Sequence, residues 1–160
     1  MQSAAKSFED TVWRLLSDVP DPEIPVLSIL DLGIVRWVRA DQSHVTVGIA
    51  PTYTGCPATE VIATNVLTHL SRNGVHAAIE QVLSPPWTTD WITEAGRKKL
   101  QAYGIAPPSG LADRPDESNI ACPRCHSRQT EKVSEFGSTP CKASYKCIEC
   151  YEPFEYFKCL

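Results

Sequence analysis

The apolar positions of the N-terminal half switch between helical and strand spacing. Residues 4–19 and the stretch after Pro57 carry apolar side chains three and four positions apart, which predicts two amphipathic helices. Between these helices, residues 34–40 and 44–50 show the two-residue alternation of half-buried strands. Because the two runs are separated by a short polar stretch, they predict an antiparallel hairpin.

A strand at residues 77–83 and a helix at residues 91–103 complete this half. The order helix, hairpin, helix, strand, helix predicts an α+β fold over residues 1–104, a small sandwich of helices packed on a mixed sheet. Residues 105–119 are rich in Pro, Gly, Ser and Asp, which predicts a linker. Residues 120–160 then form a second, all-β domain.

Six of the seven cysteines lie in this C-terminal domain. Cys122/Cys125 and Cys147/Cys150 are two Cys-x2-Cys pairs separated by 21 residues, a spacing that lets two tight turns present four thiolates to one tetrahedral ion. Strands at 130–136 and 142–147 would form the hairpin that joins the pairs. We therefore predict a zinc-ribbon-like domain that these four cysteines hold together through a metal ion.

The identity of this metal stays open at the level of sequence. Thiolate-rich sites hold iron–sulfur clusters as well as zinc, and Cys141 and Cys159 are either further ligands or small buried residues. The string Cys-Pro-Arg-Cys-His also fits c-type haem attachment, but haem would leave Cys147 and Cys150 unexplained.

Composition and charge exclude several classes of function. The 160 residues carry a net charge of −4, and neither the first 118 residues (nine Lys/Arg, fourteen Asp/Glu) nor the rest (six and five) is strongly basic, so we predict no nucleic-acid partner. No apolar run reaches the roughly 18 residues of a membrane span. The charged N-terminus is unlike a signal peptide, and we expect a cytoplasmic protein whose reduced thiols favour metal binding.

The seventh cysteine, Cys56, stands apart at the junction of the second strand and the second helix. A thiol there faces backbone N–H groups at the positive end of the helix dipole, which favours the thiolate. Cys56 is therefore a candidate metal ligand or nucleophile, and Thr54 could donate a hydrogen bond to its sulfur. A buried structural cysteine is the alternative.

Three carboxylates could converge near the same end of the sheet. Asp21, Glu23 and Asp31 would there assist metal exchange or proton transfer, whereas carboxylates that only cap loops are the alternative. The chain has no phosphate-binding loop, dinucleotide fingerprint or nucleophile elbow. We therefore predict no catalytic residue.

Several sequence strings resemble a known family. DPEIPVLSILDLGIV, PTYTGCPATEVI and WTTDWITEAGRKKL followed by GIAPP resemble the cytosolic iron–sulfur assembly family, also called metal–sulfur cluster biosynthetic proteins, over roughly residues 8–108. With CPRCHSRQT and FGSTPCKASYKCIECYEPFEYFKC, the whole chain resembles the accessory subunits of the bacterial phenylacetyl-CoA epoxidase system.

This resemblance implies a role in phenylacetate degradation, as a factor that matures iron or iron–sulfur centres rather than as the epoxidation catalyst. It implies the other epoxidase subunits as partners, and a homodimer. Cys56 in TGCP matches the family's reactive cysteine, whereas Asp21, Glu23 and Asp31 lie only in the neighbourhood of a motif. Two alternatives stay open: a scaffold with only a stabilising zinc, and a thiol-dependent enzyme acting on a CoA thioester.

Overall fold

The computed structural model describes residues 2–41, 44–53 and 55–160. The chain divides into two compact units, Met1–Trp87 and Thr88–Leu160. No helix among the described residues is long and apolar enough to cross a membrane.

The first unit contains two helices and a three-stranded sheet. Its elements are α1 (Gln2–Leu16), β1 (Val35–Ala40), β2 (Val45–Ile49), α2 (Ala58–Arg72) and β3 (Ala77–Gln81). β1 pairs antiparallel with β2, which confirms the predicted hairpin, although its turn residues 42 and 43 lie outside the described residues. β3 pairs parallel with β2 on the other side, because α2 supplies the crossover that a parallel pair needs.

Apolar faces of the helices and of the sheet form the core of this unit. Val12 and Leu16 of α1 and Val66 and Leu70 of α2 are completely buried, as is Val47 in the central strand. α1 contacts both β1 and α2, and α2 contacts β3. The helical and strand spacings of the sequence thus correspond to one shared core.

The second unit combines one α-helix with a four-stranded sheet. Its elements are a 3-10 turn (Thr89–Trp91), α3 (Glu94–Tyr103), β4 (Ile105–Ala106), β5 (Gly110–Leu111), β6 (Arg114–Pro115), a second 3-10 turn (Glu117–Asn119), β7 (Thr130–Ser134), β8 (Lys142–Cys147) and β9 (Pro153–Phe157). The sheet order is β4-β9-β8-β7, and β7 and β8 form the predicted antiparallel hairpin. The predicted α+β class with a C-terminal β ribbon is confirmed.

The division between the units differs from the predicted one, which assigned residues 1–104 to the first domain and 105–119 to a linker. α3 lies in the second unit and contacts β4. Ile105 and Ala106 are buried and pair parallel with β9, and β5 and β6 form a short hairpin. The Pro- and Gly-rich stretch is therefore held both by a strand far away in the sequence, β9, and by a local hairpin of its own.

Candidate metal centre and reactive thiol

Four cysteines meet at one end of the second unit's sheet. The sulfur atoms of Cys122, Cys125, Cys147 and Cys150 all lie within 4.8 Å of one another. The Cys122–Cys150 distance is 3.7 Å and the Cys125–Cys147 distance is 3.5 Å. A tetrahedral ion with metal–sulfur bonds of about 2.3 Å requires sulfur–sulfur distances of about 3.8 Å, so the four thiols fit a tetrahedral metal site.

Backbone hydrogen bonds form the turns that carry these cysteines. The N–H of His126 donates to the Cys122 carbonyl at 2.9 Å, and the N–H of Cys147 donates to the Glu152 carbonyl at 2.9 Å. The residue after each cysteine pair is left-handed without being glycine: His126 has φ 63° and Tyr151 has φ 60°. This conformation is uncommon for residues that carry a Cβ, and it closes each turn around its pair of sulfurs.

The apolar core of the ribbon packs against one side of the four-cysteine site. Cys122 and Cys147 are completely buried, whereas Cys125 is exposed and Cys150 is partly exposed. The buried cluster that includes them consists of Ala106, Ile120, Cys122, Ala143, Tyr145, Cys147, Phe154 and Tyr156. So few core residues supply little burial energy, and a bound metal would add much of the stability of this ribbon.

Backbone N–H groups and neighbouring sulfurs shift the pKa values of these thiols in different directions. The N–H of Cys150 lowers the pKa of Cys147, against the opposing effect of burial. The pKa of Cys125 is raised: the Ser127 N–H lowers it, but neighbouring sulfurs and burial outweigh that effect. Four thiolates at this spacing repel one another, and a divalent cation removes that repulsion while keeping all four ionised.

The remaining two C-terminal cysteines lie outside the cluster. The sulfur of Cys141 is 3.0 Å from the Thr139 hydroxyl, and the thiol of Cys159 donates to the Ser109 carbonyl at 3.2 Å. Each sulfur therefore makes a local contact within the ribbon unit rather than joining the four-cysteine group.

Cys56 lies two residues before Ala58, the first residue of α2, in the first unit. It is 7% exposed, its backbone carbonyl accepts from the Thr59 N–H at 3.1 Å, and the Thr52 hydroxyl donates to its sulfur at 3.7 Å. Gly55, beside it, has φ 79°, a left-handed conformation that glycine adopts freely. The predicted supporting residue Thr54 lies outside the described residues.

The predicted carboxylates organise a loop of the first unit. Asp21 Oδ1 accepts from the N–H groups of Glu23 at 2.9 Å and Ile24 at 2.7 Å. Asp31 Oδ2 accepts from the Ser28 N–H at 2.9 Å, and the Ser28 hydroxyl accepts from the Asp31 N–H at 3.1 Å. These bonds match the alternative of loop carboxylates.

Among the described residues, one group of three or more potential metal ligands lies close enough together to bind an ion, and it is the four-cysteine group. No such cluster there joins Cys56 with Asp21, Glu23 or Asp31.

Comparison with known proteins agrees with both units. Residues 9–83 match the family described as iron-sulfur cluster assembly protein, and residues 106–158 match the PaaD zinc beta ribbon domain. The chain is 34% identical over 95 residues to the "Fe-S protein maturation auxiliary factor" of Porphyromonas gingivalis (strain ATCC BAA-308 / W83), covering 58% of this chain and 90% of that one. A crystal structure of domain of unknown function DUF59 from Bacillus anthracis superposes with a TM-score of 0.59 at 28% identity, covering 62% of this chain and 97% of that chain.

The fold and the four-cysteine metal site thus define a protein of the iron–sulfur assembly class that carries an added zinc beta ribbon. A second relative identifies the family within this class. The chain is 49% identical over 153 residues to an Escherichia coli (strain K12) protein named as a subunit of a "Putative 1,2-phenylacetyl-CoA epoxidase", covering 93% of this chain and 92% of that protein. The chain belongs to the PaaD family of phenylacetyl-CoA epoxidase subunits.

Proposed function

We propose that this chain is an accessory component of a phenylacetyl-CoA epoxidase system, and that it acts in maturing the iron or iron–sulfur centres of that system rather than in epoxidation. The observation that carries the proposal is the position of Cys56, a thiol just before the N-terminus of α2 in the assembly-type unit, with the Thr52 hydroxyl donating to its sulfur. The names of the two curated relatives, an epoxidase subunit and a maturation factor, support it.

The chemistry of Cys56 fits transient handling of iron as cargo. Its sulfur would be one soft ligand to the iron, and the Thr52 hydroxyl donates a hydrogen bond to that sulfur at 3.7 Å. Iron–sulfur centres are normally held by four protein ligands. One ligand from this chain therefore leaves the others to a donor or a client protein, which favours transfer over storage.

The experiment compares client metal content with and without this thiol. The epoxidase subunits are produced in cells together with the wild-type chain or with Cys56→Ser, then purified, and their iron content and activity are measured. Cys141→Ser is the matched control, because Cys141 is also 7% exposed but lies outside both sites. We expect low iron occupancy with Cys56→Ser alone. Equal occupancy with both variants would remove Cys56 from the mechanism.

At the four-cysteine site, we propose a permanently bound zinc ion, held by Cys122, Cys125, Cys147 and Cys150. Metal analysis of anaerobically purified protein, with a visible spectrum, separates zinc from an iron–sulfur cluster. Zinc near one per chain without a visible band supports the proposal, whereas iron, sulfide and a broad charge-transfer band would contradict it.

A purely structural scaffold is the second candidate function. The bonding of Asp21 and Asp31 to N–H groups of their own loop favours it, because these bonds give both carboxylates a structural role. A scaffold predicts that Cys56→Ser is harmless while Cys122→Ser unfolds the ribbon. Both candidates need the other epoxidase subunits as partners, and light scattering tests the expected homodimer.

A further inference from the structure

A groove of about 640 Å³ lies within the second unit, between α3 and the first cysteine pair. Pro107, Pro108 and Pro123 contribute rigid apolar surface to its lining. Prolines lose little conformational freedom when a ligand binds, since their backbone φ is already restricted. The groove therefore offers a preorganised surface for an extended chain.

His126 lines this groove in a conformation that glycine would adopt at less cost. Its φ is 63°, and its Nδ1 lies 3.2 Å from the side-chain amide of Gln101, which holds the imidazole against α3. Glycine takes this left-handed conformation freely, whereas a residue with a Cβ pays a steric cost. Tyr151 adopts the same conformation after the other cysteine pair, so the backbone belongs to the turn, and it is the contact with Gln101 that places the imidazole in the groove.

The charged groups of the groove favour an anionic occupant. Arg97 donates to the carbonyls of Pro108 at 2.9 Å and Thr89 at 3.0 Å, and neutral carbonyls do not neutralise its positive charge. Lys98 is 76% exposed, and its pair with Glu94, the one carboxylate of the lining, is a long 3.8 Å contact between exposed groups. Such surface pairs are weak, so Lys98 is available to another carboxylate.

We propose that this groove docks an extended, carboxylate-bearing segment of another subunit of the epoxidase system. The inference rests on the proposed function for the identity of the partner. Lys98 and Arg97 would attract the segment's carboxylate, while His126 and Gln101 would hydrogen-bond its backbone. The prolines would pack against its apolar side chains.

The four-cysteine site supports one wall of the groove. Pro123 lies between Cys122 and Cys125, and the N–H of His126 donates to the Cys122 carbonyl. Because the metal would hold this turn closed, docking should require the metal-loaded ribbon. Protein treated with a chelator should therefore lose binding, and reloading with zinc should restore it.

The test measures binding of the full-length chain to each of the other epoxidase subunits, purified and immobilised separately. Lys98→Glu and His126→Gly should each weaken binding to one subunit at least fivefold, the typical effect of an interface residue that contributes to affinity. Binding should also weaken as salt is added.

Two matched variants separate docking from folding. Tyr151→Gly changes the left-handed residue of the other cysteine pair, outside the groove, and Lys99→Glu reverses a charge on the same helix outside its lining. Both should bind like wild type. The two glycine variants should melt no lower than wild type, because glycine relieves the steric cost in each turn.

Three results would overturn the inference: no subunit binds the wild-type chain, all four variants bind alike, or Lys98→Glu instead abolishes self-association of the chain. The proposed function is judged separately, by client iron content with Cys56→Ser. Normal binding by the groove variants thus rejects only the groove, and normal iron content with Cys56→Ser rejects only the role of that thiol.

Discussion

Replacing one sulfur of the four-cysteine site should weaken metal binding and destabilise the ribbon. The variant is Cys147→Ser, since Cys147 is completely buried, lies 3.5 Å from the sulfur of Cys125 and ends β8. A neutral serine hydroxyl is a poorer ligand than a thiolate for a soft or borderline ion. The first unit, with its own core, should stay folded.

The size of this effect can be estimated from the number of ligands. Structural zinc sites contribute about 10–16 kcal/mol, so one of four equal sulfur ligands corresponds to about 2.5–4 kcal/mol. At about 1.4 kcal/mol per tenfold change, Cys147→Ser should weaken zinc binding by roughly two to three orders of magnitude. The control Cys141→Ser removes a buried sulfur outside the cluster and should change stability by only about 1 kcal/mol.

Competition with a chromophoric chelator measures the zinc affinity of the full chain, and limited proteolysis shows which unit unfolds. Residues 88–160 should become sensitive in Cys147→Ser, while residues 1–87 stay protected. If Cys147→Ser and Cys141→Ser bind zinc equally well, the assignment of the four ligands is refuted.

Three further substitutions test contacts in the two units. Glu155 is partly buried, which opposes its charge, but the Lys142 ammonium at 2.7 Å lowers its pKa below the ordinary 4.5. The stability from this pair is present above pH 4.5 and is lost as the pH falls through the lower folded pKa. Glu155→Gln should therefore cost about 1–3 kcal/mol at neutral pH and flatten this acid-range dependence, measured by urea unfolding. Gly48→Ala would bring a methyl group into steric overlap with ring atoms of Trp37 and should cost about 1–3 kcal/mol in thermal unfolding. Trp87→Phe removes an indole donor that is 2.8 Å from a backbone carbonyl, which should also cost about 1–3 kcal/mol.

Each substitution has its own control. Glu131→Gln, at an exposed position of β7, should leave the acid-range dependence unchanged, and equal pH profiles for this variant and Glu155→Gln would contradict the argument. The cost of Gly48→Ala should shrink when Trp37 is also replaced by leucine; an unchanged cost would place the strain elsewhere. Wild-type stability of Trp87→Phe would show that the indole hydrogen bond contributes nothing net.

The four-cysteine cluster could be predicted because its signal is local. Each Cys-x2-Cys pair forms its own tight turn, and the sequence between the pairs has the pattern of a hairpin that brings the turns together. What sequence could not show is the left-handed backbone at His126 and Tyr151. Since glycine is the usual residue for that conformation, a histidine and a tyrosine gave no sign of it.

The boundary between the units could not be predicted from composition. Prolines and glycines after residue 104 signal a linker locally, but Ile105 and Ala106 pair with β9 near the end of the chain. Pairing between segments so far apart depends on the folded sheet rather than on neighbouring residues. Similarly, sequence alone could not show that Asp21 and Asp31 accept hydrogen bonds from N–H groups of their own loop, because these bonds depend on the loop conformation.

The two thiol sites differ in how many ligands this chain supplies, and that difference determines what each could do. Four sulfurs from one chain complete a tetrahedron, so a metal held there has no open position at which a donor or client could bind. Cys56, the single cysteine of the first unit, would leave the other positions of an iron ion to its partners. If the chain delivers iron, the iron should therefore exchange more readily at Cys56 than at the four-cysteine site. The metal of the ribbon would then affect delivery only indirectly, by stabilising the groove beside the first cysteine pair.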